Sequence, residues 1–590
     1  MCGIVGFIGN EPAAAIVLRA ISKLEYRGYD SAGMVSVSGG TIYFQKDVGS
    51  IADVQRKHRL DQLPGEVALA HVRWATHGRV NQVNAHPHFD CKKQIAVVHN
   101  GIIENYQELR AKLAGRHKFI SDTDTEVVCH LIEDYVEEGY PLEEALFKAL
   151  DRLKGSYAIA AVCSLEPEKI VATAKDSPLI VGLNGNSYFV ASDVLSFLDQ
   201  TNEVIFLEEG EVASITKGGV TFFNRQGEEI AKEPQRVDWQ WEEATKEGYN
   251  CFMLKEILEE PRAVRRALLQ DRELIMELVG EISRASQVVI AACGSSRHAA
   301  LLGRYLLSRL GGKLCHVLTA SEFNYLIDAV TEETLVIAVS QSGETADVID
   351  GVKRAKARGA RVFSIVNVVG SLLTRISDKV LYINCGPEIC VAATKSFAGQ
   401  AAIFYLLAFA LIGKLEEGIQ ELERVSLQIE ENLEKNEAKL RELAQRTRGE
   451  NSFFYIARGL NLAIAAEGAL KLKEISYVHA ECMPAGELKH GTLALIEEGT
   501  PVVAICPKDE TSDETMSNVM EIKARGGYII GVSDENNEIY DQWIEIPKVN
   551  EVCYPLVAIT PLHLLAYHMA VARGKDPDRP RHLAKSVTVK

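Results

Sequence analysis

A cysteine stands at position 2, in the opening segment MCGIVGFIGN, and cysteine is a residue type that can attack carbonyl carbon. The thiolate is the reactive form, so a nucleophilic cysteine needs a group that takes its proton. The nearest histidine along the sequence is His58. Cys2 is therefore a candidate nucleophile for which the neighbouring sequence supplies no histidine base.

The run Ser340-Gln341-Ser342-Gly343-Glu344-Thr345 is a second candidate site, because it joins an apolar strand segment to a helical one. Ser295 and Ser296 occupy the matching turn of the preceding strand. Hydroxyls and the free N–H groups of a helix N-terminus suit a phosphate, and neighbouring strand ends can face one crevice. Helix capping explains any single serine. Five hydroxyls on two turns favour a phosphate site.

Glu467, Lys471 and Glu474 are spaced four and three residues apart, which places them on one face of a predicted helix. A solvated row of ion pairs is one interpretation. The apolar flanks and the following His490 favour a second one, in which a buried carboxylate, a cation and a histidine move a proton next to a carbonyl. The sequence leaves both open.

The elements that carry these residues fall into two unlike halves. Residues 1–230 alternate short β-rich segments with predicted helices at about 11–25, 103–115, 125–138 and 141–153. The acidic segment 232–248 lacks a clear period and is interpreted as a linker. Beyond it, continuous apolar strands such as TLVIAVS and YIIGVS alternate with amphipathic helices, which is typical of parallel sheets covered on both faces.

The second half repeats itself. Residues 335–367 and 501–534 share E-T-x-D and K-A-R-G anchors, and residues 288–296 match 453–461 at nearly the same offset. Two similar α/β domains are therefore predicted in tandem. In the second copy the serine-rich turn is replaced by Cys506-Pro507-Lys508-Asp509, so we expect one phosphate site per chain.

Composition limits the partners and the compartment. The chain has 590 residues, with 64 basic and 81 acidic side chains and a net charge of −17, and no basic face is evident, so nucleic acid and anionic membranes are not expected partners. The 12 scattered cysteines form no CxxC pair and indicate a cytoplasmic protein with reduced thiols. No signal peptide is expected, and the apolar run from Phe397 is interpreted as a buried helix.

Several motifs together resemble a known family. MCGIVG, EYRGYDSAG, HVRWATHG, NAHPH, HNGIIEN and SDTDTE resemble the glutaminase domain of N-terminal-nucleophile amidotransferases. CGSS, SQSGETAD, EGALKLKEISY, AGELKHG and LAKSVTV resemble the paired sugar-isomerase (SIS) domains of the glutamine–fructose-6-phosphate aminotransferases. The resemblance covers nearly the whole chain.

The resemblance implies an α/β multidomain fold, with a four-layer αββα N-terminal domain and two flavodoxin-like SIS domains with parallel sheets. The implied divisions are 1–231 for the glutaminase domain, 232–248 for the linker, 249–415 and 416–575 for the SIS domains, and 576–590 for a tail that covers the sugar site.

For Cys2 the resemblance implies a base as well as a substrate. If Met1 is removed, the α-amine of Cys2, with a pKa of about 7.7–8.0, can accept the proton of a thiol with a pKa of about 8.5. The thiolate then attacks the side-chain amide of L-glutamine. Asn100 and Gly101 are implied as the oxyanion hole, Arg73 as the partner of the α-carboxylate and Asp124 as the partner of the α-ammonium. Three further residues are implied to shape the pocket: Trp74, Thr76 and His77.

On the sugar side the resemblance assigns the phosphate of D-fructose 6-phosphate to Ser296, Ser340, Gln341, Ser342 and Thr345. Lys585 is implied to form a Schiff base with the C2 carbonyl. Glu474, with Lys471 close by, is implied to move a proton between C1 and C2. His490 is implied to assist ring opening from a neighbouring subunit, which implies a homodimer.

Neither a metal nor a cofactor is expected. A metal site among His71, His77, His86, His88 and His99 is an alternative, but no acidic or thiol ligand stands at a matching spacing. A phosphosugar-binding regulator without turnover and an amidotransferase for another acceptor are alternative functions. The set Glu474, His490 and Lys585 argues against the first, and the lack of a P-loop argues against an acceptor that needs ATP.

Overall fold

The chain forms two compact units in a computed structural model that describes residues 2–237, 239 and 241–588. The N-terminal unit comprises Met1–Ala244, Glu344–Ala346 and Ala584–Lys590. The C-terminal unit comprises Thr245–Gly343 and Asp347–Leu583. The predicted removal of Met1 concerns a residue outside the described part of the chain, so it stays a prediction.

The N-terminal unit is built from fifteen described strands and five α-helices. The strands are β1 (Gly3–Ile8), β2 (Ser31–Ser38), β3 (Thr41–Val48), β4 (Val67–Arg73), β5 (His88–Phe89), β6 (Ile95–Ile103), β7 (Gly155–Cys163), β8 (Glu166–Lys175), β9 (Ile180–Asn184), β10 (Ser187–Ala191), β11 (Glu203–Phe206), β12 (Val212–Thr216), β13 (Gly219–Phe223), β14 (Glu229–Ile230) and β15 (Gln235–Arg236). The helices are α1 (Ala13–Ser22), α2 (Ile51–His58), α3 (Tyr106–Leu113), α4 (Glu126–Glu137) and α5 (Leu142–Leu150).

These strands form two sheets that pack face to face. One sheet has the order β15-β11-β9-β10-β1-β4-β2-β3 and the other has the order β14-β13-β12-β8-β7-β6-β5. Apolar residues of both sheets, among them Leu69 and Val98, share one buried core between them. The second sheet packs its other face on α3, α4 and α5, and α1 packs on the first sheet. The predicted four-layer αββα arrangement is confirmed.

The C-terminal unit contains ten described strands and twelve α-helices. The strands are β16 (Gln287–Ala292), β17 (His316–Thr319), β18 (Thr334–Ser340), β19 (Arg361–Val366), β20 (Lys379–Tyr382), β21 (Ser452–Ala457), β22 (His479–Pro484), β23 (Pro501–Ile505), β24 (Tyr528–Ser533) and β25 (Gln542–Glu545). The helices are α6 (Phe252–Leu258), α7 (Glu260–Ala267), α8 (Arg272–Arg284), α9 (Gly294–Arg309), α10 (Ala320–Phe323), α11 (Ala346–Ala357), α12 (Leu372–Ile376), α13 (Lys395–Leu411), α14 (Leu415–Thr447), α15 (Asn461–Ser476), α16 (Ser512–Lys523) and α17 (Tyr554–Ala572).

The repeat in the sequence is a repeat in the topology. The two five-stranded sheets have the orders β17-β16-β18-β19-β20 and β22-β21-β23-β24-β25, and their strand pairs are parallel. Both orders are the 2-1-3-4-5 order of flavodoxin-like sheets. The predicted tandem of parallel α/β domains is confirmed. Their helices share a single buried core that includes residues from both sheets.

The most apolar helices lie inside this unit. The run from Phe397 forms α13 and is buried, as predicted. Within the described residues one helix, Glu551–Ala572, is long and apolar enough to cross a bilayer, with a mean hydropathy of 1.4 over its most apolar window. The fold buries 89% of that window, so this segment is a core helix of the shared interior.

Candidate active site

Cys2 lies at the start of β1, beside the end of β4, because these two strands pair antiparallel. The Trp74 N–H donates to Cys2 Sγ at 3.3 Å, and the thiol lies 3.4 Å from the Trp74 carbonyl. Arg27 Nε donates to the Cys2 carbonyl at 3.2 Å. Burial raises the pKa of the Cys2 thiol, while the Trp74 amide and the charge of Arg73 oppose that rise. The thiol is thus held in place in a setting where burial outweighs the groups that favour its thiolate.

Arg73 ends β4 beside this thiol and is almost fully buried. Its Nη2 donates to the carbonyl of His77, whereas its buried Nη1 has no hydrogen-bond partner among the described residues. Burial lowers the pKa of Arg73, and the charges of Cys2 and Asp124 raise it. A buried guanidinium with an unsatisfied donor is suited to a carboxylate ligand.

Asn100 and Gly101 lie on β6, in the sheet that faces the one containing β1. His71 Nε2 lies 3.0 Å from the His99 carbonyl and 3.1 Å from Asn100 Oδ1, so this nitrogen carries a proton. Burial lowers the pKa of His71 to about 3, which keeps the ring neutral. Because Oδ1 accepts from His71, the amide nitrogen of Asn100 is left as the donor.

Gly101 has a φ of 119°, a conformation that side chains rarely adopt. A Cβ there would lie 2.1 Å from the Ser156 carbonyl oxygen. The backbone path next to Asn100 therefore requires glycine.

Asp124 is buried in the loop before α4, and its Oδ2 accepts from the Ile103 N–H at 2.8 Å. Its charge acts on both Cys2 and Arg73. Trp74 packs edge-on to Tyr29 and is half-buried, whereas Thr76 is exposed. His77 packs edge-on to Tyr106 and has a buried Nδ1 without a described partner.

Two further histidines of this region, His88 and His99, contact the loop that contains Asp124. His99 Nδ1 lies 3.0 Å from Thr125 Oγ1, and His88 Nε2 lies 3.2 Å from Thr123 Oγ1. Burial lowers the pKa of both rings. Neutral imidazoles paired with threonine hydroxyls on either side of Asp124 fix its position.

The serine-rich loop follows β18. Ser340 Oγ accepts from the Gly343 N–H at 3.1 Å, which closes the loop. Gly343 has a φ of 66°, and a Cβ there would lie 2.0 Å from Ser371 Oγ. On the matching turn at the start of α9, Ser296 Oγ accepts from Gln400 Nε2 at 2.9 Å. These bonds hold two hydroxyl-bearing turns at neighbouring strand ends, because β16 and β18 are paired.

The second copy fills the equivalent position with its own carboxylate. Asp509 accepts from Asn461 Nδ2, from the Thr511 N–H and from Thr511 Oγ1, each at 2.8 Å. By the repeat offset Asn461 corresponds to Ser296. In the second copy the Asp509 carboxylate therefore occupies the turn that corresponds to the proposed phosphate site of the first copy. This favours a single phosphate site per chain.

Lys471 and Glu474 lie on α15, and their side chains form a close ion pair, with 1% of the Lys471 side chain and 21% of the Glu474 side chain exposed. Glu467 is fully buried, and its Oε1 lies 3.4 Å from Lys471 Nζ. Although burial disfavours the ammonium, the carboxylates of Glu467 and Glu474 raise the pKa of Lys471. The predicted row of charges is thus buried rather than solvated, and only Glu474 reaches partly into the open.

Behind this row lies a buried chain of charges that the sequence did not indicate. Glu467 Oε2 lies 2.8 Å from His298 Nδ1, and Glu467 Oε1 lies 3.8 Å from His563 Nε2. His563 Nδ1 lies 2.6 Å from Glu260 Oε1, and Thr560 Oγ1 donates to Glu260 Oε2 at 2.6 Å. Burial opposes charge on His563, but Glu260 and Glu467 raise its pKa to about 9. The network fixes Glu467 and through it Lys471.

This raised pKa predicts a pH-dependent stability. A histidine with a folded-state pKa of about 9 and an ordinary value of 6.5 stabilises the fold fully below pH 6.5, and the contribution disappears as the pH rises through 9. We expect the free energy of unfolding to fall across this window by at most about 3 kcal/mol. Urea unfolding at a series of pH values measures it. The decline should flatten in His563→Gln and persist in His568→Gln, whose ring has a lowered pKa; an equal decline in all three proteins contradicts the assignment.

His490 and Lys585 are the two remaining residues of the predicted sugar site. His490 ends a short 3-10 helix, is exposed, and its side chain makes no hydrogen bond or ion pair with another described residue. Lys585 is half-buried in the C-terminal segment, where the Val587 carbonyl accepts from the Ala346 N–H at 2.9 Å. Their roles stay predictions.

Sequence reasoning did not identify four residues that support the sites: Arg27, His298, His563 and Glu260. Arg27 lies within the EYRGYDSAG motif, so the resemblance could have directed attention to it. The other three are far apart in the sequence and show no spacing that links them.

The αββα sandwich with a cysteine ahead of its first strand, followed by two parallel 2-1-3-4-5 sheets, defines an N-terminal-nucleophile amidotransferase joined to paired sugar-isomerase domains. The glutamine amidotransferase domain model matches residues 71–199, and the SIS domain model matches residues 281–410 and 448–573.

Relatives match over the full length. The chain is 47% identical to a glutamine–fructose-6-phosphate aminotransferase (isomerizing) of Thermococcus kodakarensis and 48% identical to one of Methanothermobacter thermautotrophicus, with 100% of both chains covered in each comparison. The solved C-terminal domain of the glucosamine–fructose-6-phosphate aminotransferase of Francisella tularensis is 33% identical, with a TM-score of 0.53, and covers 57% of this chain and 99% of that one. The chain belongs to the glutamine–fructose-6-phosphate aminotransferase (isomerizing) family.

Proposed function

We propose that the protein hydrolyses L-glutamine at Cys2 and transfers the ammonia to D-fructose 6-phosphate, giving D-glucosamine 6-phosphate. The observation that carries the proposal is the buried Arg73, which offers an unsatisfied Nη1 beside the ordered Cys2 thiol. The full-length relatives are named for this same reaction, as glutamine–fructose-6-phosphate aminotransferases (isomerizing). The proposed division of labour is 1–231 for glutamine, 249–415 for the phosphate, 416–575 for proton transfer and 576–590 for closing the sugar site.

In the glutamine half-reaction the α-carboxylate pairs with Arg73 and the α-ammonium with Asp124. The Cys2 thiolate attacks the side-chain amide carbon, and the oxygen takes the negative charge next to the Asn100 amide and the Gly101 N–H. The C–N bond then breaks, ammonia leaves with the transferred proton, and water hydrolyses the glutamyl thioester to glutamate. Removal of Met1 supplies the α-amine that accepts the thiol proton.

In the sugar half-reaction the phosphate is held by the turns that contain Ser296 and residues 340–345. Lys585 forms an imine at C2 with loss of water, and ammonia displaces the lysine. Glu474 then moves a proton from C1 to C2, which converts the fructosimine to the aldose product. Lys471 holds Glu474 in a close ion pair, and the charge of Lys471 is itself stabilised by Glu467.

His490 is proposed to assist ring opening in the site of a second subunit, so that the active protein is a homodimer. Its exposure at the end of a short 3-10 helix supports this role, because an exposed imidazole is available to another chain. A cytoplasmic location is proposed from the twelve cysteines, all of which are free.

The test is to incubate the purified protein with fructose 6-phosphate and either glutamine or ammonium, and to measure glucosamine 6-phosphate. Product from both nitrogen sources is expected. Product from ammonium alone contradicts the Cys2 assignment, and product from neither contradicts the enzyme assignment.

The asymmetry of the two copies predicts one sugar-phosphate site per chain. Calorimetric titration with fructose 6-phosphate should give a stoichiometry of one. Ser342→Ala should weaken binding by about tenfold or more, because a hydrogen bond to a charged group contributes about 1.5–3 kcal/mol. Thr511→Val, in the corresponding turn of the second copy, should leave the affinity unchanged. Two equal sites per chain contradict the prediction.

A further inference from the structure

Four side chains with metal-binding atoms meet in the N-terminal unit, and none of them is among the residues proposed to bind glutamine. Cys91 follows β5, His117 lies between α3 and α4, and His130 and Glu133 lie one turn apart on α4. Their Sγ, nitrogen and carboxylate oxygen atoms all lie within 4.8 Å of one another. The two imidazoles and the carboxylate are buried, and Cys91 is exposed, so the cluster has one open side.

The two sulfur–nitrogen distances match the edges of a zinc tetrahedron, and the two oxygen–nitrogen distances are slightly shorter than such edges. Cys91 Sγ lies 3.5 Å from His117 Nδ1 and 3.8 Å from His130 Nδ1. Zn–S bonds of about 2.3 Å and Zn–N bonds of about 2.0–2.1 Å at tetrahedral angles separate sulfur and nitrogen by about 3.6 Å. Glu133 Oε2 lies 2.9 Å from both Nδ1 atoms, where a tetrahedron needs about 3.3 Å, so the carboxylate has to withdraw by only a few tenths of an ångström.

A second layer of contacts orients the imidazoles as metal ligands. His117 Nε2 donates to Asp134 Oδ1 at 2.9 Å, and Arg116 Nη2 donates to Asp134 Oδ2 at 2.8 Å. With its proton on Nε2, the His117 ring presents the lone pair of Nδ1 to the cluster. This carboxylate–histidine arrangement is the usual support of a zinc ligand. His130 Nε2 is buried and lies 3.8 Å from Glu126 Oε1.

We propose that Cys91, His117, His130 and Glu133 bind one Zn²⁺ ion as a structural site. A thiolate, two imidazoles and a carboxylate form a ligand set that suits zinc and disfavours Mg²⁺ and Ca²⁺, which prefer oxygen. The charges of one thiolate and one carboxylate balance those of the ion, so the occupied cluster is neutral in its buried setting. Four protein ligands leave no open position for a substrate. This departs from the expectation of a chain without a metal.

The site brackets the loop that contains Asp124. His117 and His130 lie on either side of that loop, and Cys91 joins both to the segment after β5. Resting on the proposed function, this geometry gives the ion a positioning role: its loss should raise the KM for glutamine several-fold and leave the ammonium-dependent rate unchanged.

The direct test is metal content of the tag-free, full-length protein after growth with zinc and exhaustive dialysis. One zinc per chain is expected in the wild type and in Cys129→Ala, a control on the same helix, and at most a small fraction of that in Cys91→Ala and His130→Gln. Replacement of zinc by Co²⁺ should give the near-ultraviolet thiolate-to-cobalt absorption in the wild type and not in Cys91→Ala.

Thermal melting separates this proposal from the proposed function, because it needs no substrate. Zinc added to metal-free protein should raise the melting temperature of the wild type and of Cys129→Ala, and it should not raise that of Cys91→Ala. Wild-type protein without bound zinc in the presence of excess ion, or equal zinc content in Cys91→Ala, overturns the proposal. In either case the cluster binds no zinc, and His117 and His130 are held by their contacts with Glu133.

Discussion

Cys2→Ala is expected to lower glutamine-dependent formation of glucosamine 6-phosphate on the order of 10³-fold or more and to leave the ammonium-dependent rate nearly unchanged. The substitution removes the proposed nucleophile, whereas fructose 6-phosphate and ammonium are handled by other residues, among them Glu474 and Lys585. The half-buried position of Cys2 makes the loss of its sulfur a small change for the fold. Both rates are measured from the formation of product.

Cys482→Ser is the matched control, because Cys482 is also half-buried but lies on β22 of the second SIS copy. It should keep both rates. Mass spectrometry of the two variants and the wild type verifies that Met1 is absent from each. Retention of glutamine-dependent synthesis by Cys2→Ala rules out the thiol as the nucleophile, and loss of both rates indicates a damaged fold.

Glu474→Gln is expected to produce the opposite pattern. Without the carboxylate that moves the proton, product formation from glutamine and from ammonium should both fall by about 10²- to 10⁴-fold. Glutamate release from glutamine should continue. The fold should persist, because Lys471 keeps its second buried partner, Glu467, at 3.4 Å.

The control is Glu481→Gln, the same substitution at an exposed carboxylate on β22. It should leave every rate unchanged. A melting temperature of Glu474→Gln close to that of the wild type verifies that the loss is chemical. Full synthesis by this variant assigns the proton transfer to another residue.

The sequence predicted the central strands of the two parallel sheets but missed three of their four edge strands. β16, β18 and β19 are mostly apolar, as is typical where both faces of a parallel sheet are covered. β17, β22 and β25 lie at sheet edges, are short and contain polar residues, as in HAECMP of β22. An edge strand is recognised by its partner rather than by its own pattern.

The functional sites were also predicted only in part from the sequence. The residues around Cys2 lie in motifs that resemble a family, and the close pair of Lys471 and Glu474 follows from helical spacing. The contact between Glu260 and His563 joins positions 303 residues apart, and nothing in either local sequence announces it. The ligands from Cys91 to Glu133 lie on three segments, so their convergence depends on how the loops return to α4.

The buried chain from Glu260 through His563 to Glu467 crosses from one repeat to the other. Glu260 lies on α7, which precedes the first sheet in the sequence, whereas Glu467 and His563 lie on α15 and α17 of the second repeat. Either repeat produced alone would expose to water the apolar core that both repeats share, and it would separate Glu260 from His563. Neither repeat is therefore expected to fold without the other. A fragment produced by cutting the chain near residue 416 should be recovered only as an insoluble product.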